Sequence, residues 1–497
     1  MANESDARGT LRGALVRADA VRDPRLHGPH APPAPCARCR ARPRALRFWR
    51  ELAYPPSAVI FYENGSRSAH ISDGELREGL SQALGKLGGR RRVLAIPPDF
   101  TRLQSRAGRI TEMVWEYFGS ALTDVLPATG THFAVTDEEQ KAMFGSVPRS
   151  LFRVHSWKQD TETLGRVPAD FIRAVSGGTL GFDWPAQVNR LVARGGHDLI
   201  LSIGQVVPHE VAGMAGHAKN IFVGVGGAEA IHKSHYLGAV CGMEKAMGRA
   251  ETPVRAVLNH GAERFTSHLP IVHVLTVLGR EPDGSLALRG LFVGDDRETF
   301  TRAAALSREV NVELLEEPLE KVVVFLDPGE FKSTWLGNKA IYRTRMAIAD
   351  GGECIVLAPG VRQFGEDPEI DALVRRYGYS TTPRILRLVE ENDDLRENLG
   401  VAAHLIHGSP EGRFTVTYCP GGLTREEVET AGFRFGNLSA LSARYDPRRL
   451  RDGWNRLLDG ERVYYVSNPA TGLWASRSRF LGRGESGGSG RARLSSF

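Results

Sequence analysis

Residues His197 to Gln205 read "HDLILSIGQ". Between Leu199 and Gly204 the aliphatic side chains follow one another without polar alternation, over a length too short for a helix. A strand covered on both faces reads this way, and such strands belong to parallel sheets flanked by helices. The same signature recurs in "RRVLAIPPD" (91–99), "VVVFLDPGE" (322–330), "CIVLAPG" (354–360) and "FTVTYC" (414–419). Helical spacing fills the intervals. "DGELREGLSQALGKL" (73–87) opens on an Asp expected as N-cap, and "PEIDALVRRYGY" (368–379) carries apolar residues three and four apart. Strand–helix alternation predicts an α/β fold: two α/β domains with largely parallel sheets and an active-site cleft between them. The expected domains are residues 51–305 and 306–480. They are flanked by a disordered Arg/Pro-rich tail at 1–50 and a flexible tail at 481–497.

At 497 residues the chain can bury more than one core. The net charge of +6 would suit an anionic partner, but its distribution argues against one. The first 50 residues hold eleven arginines against four carboxylates, an excess of seven, which leaves the body close to neutral. Nucleic acid could be served only by that tail. No apolar run long enough to span a membrane occurs. Five cysteines, Cys36, Cys39, Cys241, Cys354 and Cys419, are too few for a disulfide framework, and a reducing cytoplasm is expected. Cys36 and Cys39 have CxxC spacing without a second pair nearby, so a zinc site there is not expected.

The chemistry-bearing residues cluster after strands. Asp99 and Arg102 lie three apart in a turn stiffened by Pro97 and Pro98, where an Arg can grip phosphate or carboxylate. A local Asp–Arg pair capping the next helix is the plainer reading. His132 follows Gly130-Thr131, and Thr136 with Glu139 makes a capping box just beyond. "FRVHSWKQD" is expected to put His155 at the end of a short strand. Most concentrated is "PHEVAGMAGHAKNIFVGVGGAEAIHKSH" (208–235), with His209, His217, His232, His235 and Lys219 among five glycines. It holds no HExxH, no GxxxxGK[ST] and no correctly spaced GxGxxG. An amine among imidazoles suits a tethered cofactor, a metal with nitrogen ligands, and proton transfer near neutral pH.

"DFTR", "GTH", "GQVVPHEVAG…K" and the spacing from Lys219 to His235 together resemble the nickel-pincer-nucleotide lactate racemase family, over about residues 55 to 475. The resemblance implies a racemase or epimerase of a 2-hydroxy acid, lactate or a bulkier analogue, acting by reversible hydride transfer. It implies a nickel-pincer nucleotide attached to Lys219 with His235 as nickel ligand. Asp99, Arg102 and His132 would hold the nucleotide, His155 and His209 would act as acid and base, and Lys339 would grip the substrate carboxylate. Partners would be the 2-hydroxy acid and the carboxylase, sulfur transferase and nickel insertase that make the cofactor. Phe133 stands where the family has an Arg after Gly-Thr-His, and His217 replaces a small residue before the lysine. Two alternatives stay open. One is a zinc-dependent hydrolase or lyase using His209, His232 and His235; the other is a non-catalytic small-ligand-binding protein.

Overall fold

The computed structural model describes residues 59–281 and 284–481. The expected tails, with Cys36 and Cys39, lie outside the described residues. The first sheet is built from β1 (Ile60–Gly65), β2 (Val93–Ile96), β3 (Leu122–Val125), β4 (Leu199–Gln205), β5 (Ile271–Arg280) and β6 (Leu286–Gly294). Their spatial order is β1-β6-β5-β4-β2-β3. The run β5-β4-β2-β3 is parallel, while β6 and β1 extend it antiparallel. The opening signature is β4, central in the parallel run and buried from Leu199 to Gly204. At such a position Leu201→Ala would cost about 2–5 kcal/mol, lost transfer plus cavity.

The second sheet is built from β7 (Leu319–Phe325), β8 (Ile348–Ala358), β9 (Thr415–Pro420), β10 (Arg434–Phe435), β11 (Gly453–Arg456) and β12 (Arg462–Val466). Its order is β10-β9-β8-β7-β12-β11, parallel except for the edge pair β12-β11. The α/β class with parallel-rich sheets is therefore as expected. Between the sheets runs the helix Arg297–Asn311, capped by the Asp296 carboxylate. The strand after it, Val312–Leu315, pairs in parallel with Leu473–Ser476 near the chain's end.

Three local expectations differ. Ser72, not Asp73, caps the helix Asp73–Leu87: its hydroxyl accepts from the Glu75 N–H while Glu75 accepts from the Ser72 N–H. That reciprocal box satisfies two donors, which Asp73 at the cap would not do. His155 ends no strand. Its segment is irregular and pinned beside β3, where Arg153 donates from its backbone to Val125 and from Nε to Asp124. Lys219 sits in a helical start leading into the π-turn Asn220–Gly224 rather than a loose glycine turn. Asn220 explains the rigidity, since its Nδ2 reaches the Ile96 carbonyl and the Ser202 hydroxyl, each at 3.1 Å. Among the described residues no helix is long and apolar enough to cross a membrane.

Candidate functional site

Because β4, β2 and β3 are parallel neighbours, the loops leaving their C-terminal ends open on one edge of the sheet. These loops carry His209, Asp99 with Arg102, and His132. A parallel bridge between Pro98 and Ala128 extends the β2–β3 pairing into the loops. The Gly130 N–H then donates to the Gly224 carbonyl at 2.8 Å, joining the His132 turn to the turn after Lys219. Gly130 has φ +57, and a Cβ there would lie 3.3 Å from the Val223 carbonyl, so the position favours glycine.

Asp99 is buried and holds its neighbours tightly. Oδ1 accepts from the Thr101 hydroxyl at 2.6 Å, and Oδ2 lies 2.6 Å from His132 Nδ1. It makes no ion pair with Arg102. Burial raises the Asp99 carboxyl, but His132, Thr101 and Arg102 outweigh it and the net shift is downward. An ionised Asp99 takes the Nδ1 proton of His132, which leaves Nε2 bare on a side chain 41% exposed. The Arg102 side chain has no hydrogen-bond or ion-pair partner among the described residues, yet its charge bears on Asp99, His209, Lys219 and Lys339.

His155 is closed off. Asn189 Nδ2 donates to its Nδ1 at 2.9 Å, and its Nε2 donates to the Gly226 carbonyl at 3.1 Å. Both nitrogens are spent inside the protein, and burial holds the ring neutral. In this arrangement neither His155 nitrogen is free of a protein partner. Asn189, which nothing in its local sequence marks, is the reason.

His209 lies in a two-residue strand paired with Gly213–Met214. Its Nδ1 accepts from the N–H groups of Val211 and Ala212, so the neutral ring carries its proton on Nε2. Burial, with Lys219, His235 and Arg102 adding to it against Glu210, keeps that ring well below the usual histidine range. His235, on the helix Ala228–Cys241, has the opposite tautomer. Its Nδ1 donates to the Ile231 carbonyl at 2.7 Å, which leaves the Nε2 lone pair available to a metal. Burial pushes it down to about 4. Burial also pushes the Lys219 amine down to about 8, with Arg102 acting in the same direction and Glu210 and Asp99 against it. The charge of Lys219 bears on both His209 and His235, and that of His235 on His209.

The other sheet's connections complete the cluster. Lys339, on the helix Lys339–Thr344, is lowered to about 8 by burial and then by Arg102. Tyr342 and Arg343 on the same helix bear on Glu210, as does His407 at the end of the helix Leu399–His407. That helix packs against the helix that carries His235. The fit is close, since a Cβ added at Gly400 would lie 3.2 Å from the His232 ring. Of the other basic residues in this segment, Lys332 is exposed, while Arg345 is committed to Glu244. Glu210 is the residue that sequence reading passed over; an acidic group directly after a post-strand Pro-His was the available signal. Burial would raise its carboxyl, but His209 and Arg343 hold it well below the usual range.

No three His, Cys, Asp or Glu side chains among the described residues are grouped to hold a metal by themselves. This runs against a zinc site built on His209, His232 and His235. A metal at His235 would need donors from a non-protein group, and a buried, partly neutral amine at Lys219 is suited to carry one.

Residues 79–248 match the lactate racemase N-terminal domain. They include every candidate from Asp99 to His235, but not Lys339. Over 156 residues the chain is 30% identical to the lactate racemase of Thermoanaerobacterium thermosaccharolyticum, an alignment covering 30% of this chain and 33% of that enzyme. The chain thus aligns with about a third of that curated relative's length. Among solved structures, a Thermotoga maritima protein superposes with a TM-score of 0.69 at 23% identity, covering 82% of this chain and 98% of that one. The T. thermosaccharolyticum lactate racemase apoprotein superposes with a TM-score of 0.61 at 16% identity, covering 85% and 97%. At those identities the superpositions speak for the fold.

Proposed function

From a chain that resembles lactate racemases and carries their N-terminal domain over residues 79–248, we propose a racemase or epimerase of a 2-hydroxy acid, lactate or a bulkier analogue, that uses a nickel-pincer nucleotide. The observation that carries this reading is the pairing of Lys219 with His235. A buried amine lowered to about 8 is a nucleophile for attachment, and an imidazole with Nδ1 tied to a carbonyl offers Nε2 to nickel. When bound, the group would supply a reversible hydride acceptor and soft donors for the metal. Arg102, unpaired among the described residues, would bind its phosphate.

The chain's own residues would handle the substrate. Lys339 would hold the carboxylate from the second-sheet side. His132, oriented by Asp99 with Nε2 bare, would accept the proton of the α-hydroxyl. His209, a neutral ring with its proton on Nε2, would donate a hydrogen bond to the same oxygen, and His132 would return the proton when the hydroxyl re-forms. Residues of this kind typically contribute on the order of 10²–10⁴-fold each. His132 therefore takes the role first given to His155, whose nitrogens are both occupied. The division into domains near residue 305, the three cofactor-building partner enzymes and a cytoplasmic location belong to the same proposal. The described cysteines, Cys241, Cys354 and Cys419, are free thiols in keeping with that location.

The test is mass spectrometry of the Lys219 peptide with nickel analysis, on protein produced alongside the cofactor pathway. A sulfur-containing pyridinium adduct with bound nickel is expected. An unmodified Lys219, where a known lactate racemase is loaded under the same conditions, overturns the reading.

A further inference from the structure

The second sheet has a cavity of its own, of about 320 Å³, where the loops leave the C-terminal ends of β7 and β8. Its lining is Pro328 and Lys332 from the first loop, and Pro359, Gly360, Arg362 and Gln363 from the second. None of these residues has a part in the proposed reaction. Loops at the carboxyl ends of parallel strands are the usual ligand position in such a sheet.

The two loops are held rung to rung. The Leu326 N–H donates to the Leu357 carbonyl at 2.9 Å, the Arg362 N–H to Lys332 at 3.1 Å, and the Thr334 N–H to Gln363 at 3.0 Å. They pack so closely that a Cβ added at Gly360 would lie 2.7 Å from Pro328 Cα. Lys332 and Arg362 are therefore neighbours across this ladder, and both line the same cavity. Among the described residues neither side chain has a hydrogen-bond or ion-pair partner. No acidic residue lines the cavity. The nearby carboxylates are engaged elsewhere, Asp327 with the Gly329 N–H at 2.8 Å and Glu330 with Asn468 Nδ2 at 3.1 Å. The Gly360 N–H likewise has no acceptor among the described residues.

Like charges on neighbouring rungs repel, and an anion between them reverses the sign of that interaction. The donors present are a guanidinium fork, an ammonium and a backbone N–H. Two positive charges balance a phosphoryl dianion, which brings three strong acceptor oxygens, better than they balance a carboxylate.

We propose that this cavity is a second binding site, taking a phosphoryl group, free or as a small monoester, between Lys332 and Arg362. The inference is independent of the racemase reading.

The experiment is calorimetric titration of the full chain with inorganic phosphate and with glycerol 3-phosphate at low ionic strength. An Arg102→Ala background removes the side chain assigned to the cofactor's phosphate. Lys332→Ala and Arg362→Ala are each expected to weaken binding about tenfold or more, because each removes a charge-assisted contact. Arg362→Lys, which keeps charge and stem but loses the fork, should weaken it by less than Arg362→Ala. Arg384→Ala, on the exposed surface of the helix Thr382–Glu391, should change it by less than about twofold, since distant exposed charges are screened. Tighter binding of glycerol 3-phosphate would identify a monoester as the ligand, and equal or tighter binding of phosphate the free anion. Binding of neither probe at millimolar concentration, binding unchanged in Lys332→Ala and Arg362→Ala, or an equal loss in Arg384→Ala overturns the proposal.

Discussion

His132 and His155 leave the same edge of the first sheet, yet their surroundings give them opposite capacities. The His132 turn is open, with Nδ1 held by the Asp99 carboxylate at 2.6 Å and Nε2 unengaged. The His155 segment is closed, with Nδ1 on Asn189 and Nε2 on Gly226. His132 thus keeps one nitrogen free of protein partners, and His155 keeps neither. The carboxylate partner sharpens the contrast. His132 meets a carboxylate, whereas His155 meets the amide of Asn189.

The widest gap should appear in turnover. His132→Ala is expected to lower kcat for 2-hydroxy acid racemisation by about 10²–10⁴-fold. His155→Ala should lower it by less than about tenfold once scaled to the folded fraction. Equal losses in two well-folded variants would break the comparison.

A second gap lies in acid stability. His273, His404 and His407 are buried and lowered from 6.5 to about 3, so they resemble His155. Between those values the unfolded chain binds more protons than the folded one. Stability is therefore full above about pH 6.5 and falls as pH drops towards 3, by roughly 1.4 kcal/mol per pH unit for each histidine. Denaturant midpoints measured from pH 7 to pH 4 should fall steadily; a flat profile would mean these rings charge freely.

The smallest effect is also the most specific to His155. Asn189→Ala strands its Nδ1 and should destabilise the protein by about 1–3 kcal/mol while leaving kcat of the folded fraction nearly unchanged. A large loss of kcat at full stability would return His155 to the reaction.

Much of this was legible in local sequence. The apolar runs at 199–204 and 322–325 announced parallel strands, because burial on both faces is written into consecutive residues. The site loops were partly legible too, since Asp99 and His209 each follow such a run. The expected Asp N-cap failed for a local reason, as Ser72 one residue earlier completes a reciprocal box with Glu75 that Asp73 cannot. The strand ending at His155 failed for a distant one. Arg153 ties that segment to Asp124 and Val125, and no periodicity records such bonds.

By itself, then, the sequence determined the α/β class and the loops in which chemistry could gather, because strand pattern and loop position are properties of neighbouring residues. Tertiary structure decided which nitrogen each histidine keeps free and why Lys219 loses part of its charge. Hydrogen-bond partners, burial and opposing charges come from segments far apart in the chain, and only folding brings them within reach.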